Sequence, residues 1–168
     1  MAEVCALLSA LTGVPLRQDL AITGSMNQHG HVQAIGGANE KIEGFHDICA
    51  ARGLTGSQGV LVPADNVRHL MLRPDVADAV DQGRFHVWSM TSVDDALELL
   101  TGMEAGSRDD DGGWSTDSFN ARVDRQLAAF AEAAREVRRN GEHFHDPGPA
   151  PTPAPAPPGP PPGPGDQP

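Results

Sequence analysis

The stretch His31–Pro63, HVQAIGGANEKIEGFHDICAARGLTGSQGVLVP, carries two periodicities in one line. Its first five residues, HVQAI, read as an extended run returning from a turn at Asn27–Gly30. Gly36 and Gly37 then break the chain. Ala38–Arg52 has helical spacing. On a wheel of ~100° per residue, Ala38, Ile42, Phe45, Ile48 and Cys49 share one face. Asn39, Glu40, Glu43, His46 and Asp47 lie on the other. Gly59–Pro63, GVLVP, is short, β-branched and bounded by turn residues, and it reads as a buried strand. An alternation of this kind predicts an α/β or α+β fold.

Upstream, Ala2–Leu11 (AEVCALLSAL) reads as a helix with an all-round apolar surface, which predicts burial. Gly13 and Pro15 end it, and Leu16–Gly24 (LRQDLAITG) reads as a strand. Downstream, helical stretches are expected around Asn66–Leu72 and Asp75–Gln82, with a strand at Arg84–Ser89. Ser92–Leu100 is a helix with Ser92 as N-cap and Asp95 at the capping-box position.

Composition changes after Gly102. Residues 103–115 read as an acidic, glycine-rich linker. Residues 116–140 read as a last helix, from about Thr116 to Arg139, because Phe119, Val123, Leu127, Phe130, Ala134 and Val137 recur at helical spacing. Residues 141–168 are a tail, almost wholly Pro, Gly and Ala from Asp146. Such a segment cannot bury a core and is expected to be disordered and PPII-like.

The 168 residues suffice for one domain with a core. A formal net charge of −11 argues against nucleic-acid backbones and anionic membrane surfaces as partners. No apolar run approaches the length of a spanning helix, and no basic-then-apolar signal opens the chain, so the expected location is cytoplasmic. Cys5 and Cys49 sit among apolar neighbours and read as buried, reduced thiols, with a disulfide or catalytic thiol as the alternatives.

Lys41 is the one lysine; the other eleven of the twelve Lys and Arg residues are arginines. On the wheel it lies at the edge of the apolar face, beside Phe45 and Ile48. Partial burial there, and the positive end of the helix, would both disfavour its ammonium form. An amine treated this way accepts a proton, which a guanidinium does not. The alternative is a lysine that snorkels from the apolar edge and pairs with Glu40 or Glu43.

The string AITGSMNQHGHVQAIGGANEKIEGFHDICAARGLTGSQGVLVPADN (residues 21–66) resembles the proteolytic domain of Lon proteases, closest to the B-type, Lon-like branch. The shared pattern is Thr23-Gly24, a hairpin, Ile35-Gly36-Gly37, Lys41, a helix and Val62-Pro63. The resemblance covers about residues 2–102, and FNARVDRQLAAFAEAAREV resembles the tail of that branch. It implies a ribosomal protein S5 domain 2-like fold and a serine endopeptidase with a Ser-Lys dyad. Lys41 occupies the dyad-lysine position, and Thr23 matches a threonine that orients its amine. Protein or peptide substrates and a homo-oligomer, usually a hexamer, are implied as well.

The sequence departs from the family in one respect. The family's nucleophilic serine precedes the first helix, and here Met1-Ala2-Glu3 already begins that helix. Ser9 and Ser25 do not match the serine position. The expectation is a chain cut short at its start, inactive as given. No GxxxxGK[ST] string occurs, so no cofactor is expected here; ATP and magnesium would serve the ATPase domain of a longer protein. The alternative, from another class, is a non-catalytic Lon-like scaffold for assembly or partner binding. No metal site is expected. His29/His31 and His143/His145 are i, i+2 pairs without thiol or carboxylate company, and Asp109–Asp111 lacks calcium-loop spacing.

Overall fold

A computed structural model describes residues 1–142, with side chains to residue 139. The proline-rich tail and the His143/His145 pair lie outside the described residues.

β4 (Gly59–Pro63) is buried at every position and forms the middle of a parallel sheet ordered β1-β4-β5. β1 is Leu20–Ile22 and β5 is His86–Met90. Leu61 pairs with Ile22 on one side and Trp88 on the other. A strand buried on both faces needs apolar side chains in both directions, which is why GVLVP runs without alternation. Val60 and Val62 join Ile42, Val76, Ala79 and Phe85 in one core, whereas Leu61 joins Cys5, Leu20, Met90, Leu97, Leu100 and Phe119 in another. The sheet therefore carries helices on both faces: α2 (Ala38–Arg52) and α4 (Pro74–Asp81) supply one, α1 (Ala2–Thr12) and α5 (Val93–Thr101) the other. Of the two fold classes left open by the sequence, this is α/β.

Gly59 is required by close approach. A methyl group there would collide with the His86 carbonyl and the Trp88 ring. A hairpin is present around the expected turn, but the returning strand is only β3 (Val32–Gln33), and it pairs antiparallel with β2 (Ser25–Met26) and not with the strand before Gly24; Asn27 accepts from the amides of His29 and His31 across the turn. The strand expected over Leu16–Gly24 is shorter, because Arg17–Asp19 forms a turn closed by their own ion pair. The helix expected at Asn66–Leu72 is one turn, α3 (Ala64–Val67). The Ser92 capping box is complete: Asp95 N–H donates to Ser92 Oγ, and the Asp95 carboxylate accepts from Ser92 N–H.

α1 corrects the expectation of all-round burial. Cys5 is its buried residue, while Leu7 is 68% exposed. A helix laid against one side of the sheet and α5 covers one stripe, and no element among the described residues covers the other. Residues 103–118 are irregular but held. Ala105 is buried, and Arg108 lies 4.5 Å over the Trp114 ring. α6 runs Phe119–Glu142, three residues later than the pattern suggests. Asp117 takes a positive φ of 64°, and Ser118 Oγ then caps the helix by accepting from Ala121 N–H. Met1–Phe130 forms one compact unit, and the rest of α6 belongs to a second.

Candidate functional site

Thr23 follows β1 directly, and its amide donates to the Leu61 carbonyl, continuing the β1–β4 ladder by one bond. Its hydroxyl is thus held at the carboxyl end of the parallel strands, where loops meet and ligands bind in open α/β sheets. Lys41 reaches the same point from α2. The chain enters that helix through Gly37, which has φ 69° and ψ 30°, a left-handed conformation costly for any residue with a Cβ. The Lys41 amide closes the first turn on the Gly37 carbonyl. One turn in, its amine donates to Thr23 Oγ1 at 3.1 Å. Two residues 18 apart, both singled out in the sequence, are brought together.

The environment of the amine differs from the wheel's reading. Lys41 is exposed, not partly buried. Nor does it pair with Glu40 or Glu43 among the described residues; Glu43 instead accepts from the Arg73 amide. The apolar arc of α2 is rotated relative to the wheel. Ile48 is 54% exposed, while His46, assigned to the polar side, is buried with its ring edge-on to Phe85. Phe85 extends the cover on α2 beyond what β4 alone provides.

The start of α1 meets the same corner. The Met1 amino group donates to the Gly24 carbonyl at 3.2 Å, and Met1 is buried. A Cβ on Gly24 would come within 2.9 Å of Met90 and 3.4 Å of Pro63. Those two residues line an open cavity of about 380 Å³ together with His31, Val32, Ala64, Asp65 and Thr91. Gly24, the residue after Thr23, thus packs against two residues of a cleft between the hairpin and the ends of β4 and β5.

The other candidates are placed elsewhere. Ser9 donates to the Val14 carbonyl and serves the end of α1. Ser25 is exposed in β2. Among the described residues, no serine hydroxyl bonds to Lys41. Cys5 and Cys49 are free and buried, and burial pushes both thiols above their usual range. Asp109 accepts the Gly113 amide in its own turn.

Among the described residues, one group has metal-ligand atoms close together: His46, Asp47 and Asp75, within 4.8 Å. Both of its carboxylates are already paired with a single guanidinium. Arg73 makes a bidentate pair with Asp47 and a second pair with Asp75. Those bonds hold both carboxyls below the usual carboxylate range and push the guanidinium up.

Sequence reading missed Asn66. It is buried, its Nδ2 donates to the Ile35 carbonyl at 2.8 Å, and its Oδ1 accepts from the Ile35 amide at 3.0 Å. An asparagine three residues beyond a strand-ending proline carries no periodic signal. It also missed the ladder Asn39, Glu43 and Asp47 along α2. These bind the Met71 amide, the Arg73 amide and the Arg73 guanidinium in turn.

Comparisons with known proteins agree with this architecture. The family profile described as the Lon protease (S16) C-terminal proteolytic domain matches residues 1–102. A protein of Escherichia coli (strain K12) described as a Lon protease homolog is 56% identical over 100 residues, 60% of this chain and 17% of its own length. One of Haemophilus influenzae with the same description is 40% identical over 136 residues, 81% of this chain and 23% of its own. The archaeal Lon protease of Thermococcus kodakarensis is 34% identical over 94 residues, 56% of this chain and 13% of its own. The chain spans about a fifth of the length of the first two relatives. With a matching profile over more than half its length, on an α/β frame that joins Thr23 to Lys41, the chain belongs to the Lon protease C-terminal proteolytic domain family.

Proposed function

We propose that this chain is the proteolytic portion of an ATP-dependent, Lon-like serine endopeptidase in which Lys41 is the base of a Ser-Lys dyad. The observation that carries this reading is the 3.1 Å bond from Lys41 Nζ to Thr23 Oγ1. Thr23 accepts a hydrogen bond from the amine and so orients it. In the reaction, the Lys41 amine takes the proton of a serine hydroxyl as that oxygen attacks a peptide carbonyl. The resulting ammonium returns the proton to the leaving amine, and water then releases the acyl group by the same route.

The serine's place, as the family resemblance implies it, is a turn before the first helix. ATP and magnesium act in a separate ATPase domain. The substrates are proteins or peptides, the assembly is a homo-oligomer with the hexamer of the family, and the location is cytoplasmic.

The test compares this chain with one extended by a Gly/Ser/Ala-rich turn before Met1. The chain as given should not cleave casein, whereas the extended chain should cleave it and lose that activity in Lys41→Arg. Casein cleavage by the chain as given, unaffected by Lys41→Arg, would overturn the reading.

The exposure of Lys41 favours a second reading, a non-catalytic scaffold for ring assembly or partner binding. Under it, the extended chain stays inactive on casein yet still self-associates in sedimentation.

A further inference from the structure

The Lys41–Thr23 contact joins two side chains that arrive by different routes, and both routes are tied to β4. Thr23 is tied by its own amide to the Leu61 carbonyl. Lys41 is tied through the loop that starts its helix. Ile35 precedes Gly36, Gly37 and the first turn of α2, and both of its backbone polar groups are taken by the carboxamide of Asn66, 31 residues away. Asn66 stands three residues beyond the end of β4, in α3. The two bonds reproduce one rung of an antiparallel ladder, with a side chain in the place of a strand.

Asn66 is only 7% exposed. Water competes little for these bonds, and a buried amide or carbonyl left without its partner is costly. Gly36 and Gly37 make the loop the most permissive stretch of this path. A permissive loop needs an outside reference to place the next helix. Along the outer face of α2, Asn39 in its first turn and Glu43 one turn on accept from the amides of Met71 and Arg73, whereas the Asn66 bonds act on the loop before the helix.

We propose that Asn66 is a positioning residue. Its carboxamide sets the height of the Ile35-Gly36-Gly37 loop against the end of β4, and thereby the reach of the Lys41 amine to Thr23. The role deepens the dyad reading and rests on it for its catalytic meaning, but the geometry is testable without catalysis. Lys41 is the sole lysine, so a chain grown with lysine carrying carbon-13 at Cε gives one side-chain signal.

Thr23→Val removes the hydroxyl partner and defines the shift of that signal when the contact is lost. Asn66→Ala and Asn66→Asp should each move it at least half as far in the same direction. Asp47→Ala, which cuts a tether far along α2 to the Arg73 guanidinium, should leave it near the native position. In the native chain, the Ile35 amide should exchange with deuterium as slowly as the amides of β4. An unmoved Lys41 signal in a folded Asn66 variant overturns the proposal. So does fast exchange at Ile35 in the native chain, a result that needs no variant to fold. If the extended chain never cleaves casein while these signals behave as expected, the dyad reading falls and the positioning role of Asn66 stands.

Discussion

The Lys41 amine donates to the Thr23 hydroxyl at 3.1 Å, and the two residues come from opposite sides of the hairpin that separates β1 from α2. The bond sits at the surface, so it contributes little to folding. Its consequence is the direction in which the amine points.

Thr23→Val should therefore separate activity from stability. In a chain extended by the serine turn, kcat for casein should fall about 10- to 100-fold, less than the ~10²–10⁴ that a general base contributes in full, because the base is displaced and not removed. KM should change little, and the thermal midpoint should stay within about 2 °C of the parent, as for a surface change of about 0.5 kcal/mol. Steady-state kinetics beside a calorimetric melt would check both halves. A midpoint that falls together with kcat would assign Thr23 to the fold.

Gly59→Ala should lower stability with no direct effect on the site. The added methyl meets the His86 backbone and the Trp88 ring, which belong to the neighbouring strand and cannot swing aside. A cost of about 1–3 kcal/mol is expected, the range for overpacking a core. Urea unfolding followed by circular dichroism measures it, and an unchanged midpoint would contradict the packing.

Asp95 should make stability depend on pH in the acid range. Burial raises its carboxyl, but the bonds from the Thr91 amide and hydroxyl and from Ser92 outweigh it, so the group lies below the usual carboxylate value. A depressed carboxyl contributes stability above its unfolded value and loses it as pH falls through its folded value. Asp95→Asn keeps an acceptor without the charge, so its stability should fall less steeply than the parent's from about pH 4 downward. Asp95→Ala breaks the capping box and should cost about 1 kcal/mol at neutral pH. Parallel acid-unfolding curves for the parent and the Asn variant would contradict the assignment.

His46→Met should be neutral or stabilising. Among the described residues, neither buried ring nitrogen of His46 has a hydrogen-bond partner, and Nδ1 lies 3.6 Å from an Asp47 carboxylate already held by Arg73. Removing a buried polar group that has no partner forfeits no bond. The thermal midpoint at pH 7 should stay level or rise; a clear fall would show that the imidazole does more than fill space beside Phe85.

The sequence by itself determined the elements that local chemistry specifies. Ala38–Arg52 is bounded by the glycines at 37 and 53, and Gly59–Pro63 is a strand because its uninterrupted β-branched run suits a place between two helical layers. The Ser92–Asp95 cap follows from two side chains and the amides beside them. Lys41 was legible from composition as the sole lysine, and Thr23 from the resemblance to the family.

Tertiary structure alone decided where those candidates stand. Lys41 was read as half-buried and is exposed; His46 was read as outward and is enclosed. The apolar first helix shows Leu7 to solvent. A wheel counts apolar residues along one helix but does not know how wide an arc its neighbours cover. Asn66 was invisible for a related reason. Its bonds to Ile35 form between segments 31 residues apart, once β4 has placed α3 beside the glycine loop. Local periodicity carries the pattern of burial within an element, whereas the distance between two side chains on different elements exists only after the sheet has brought their backbones together.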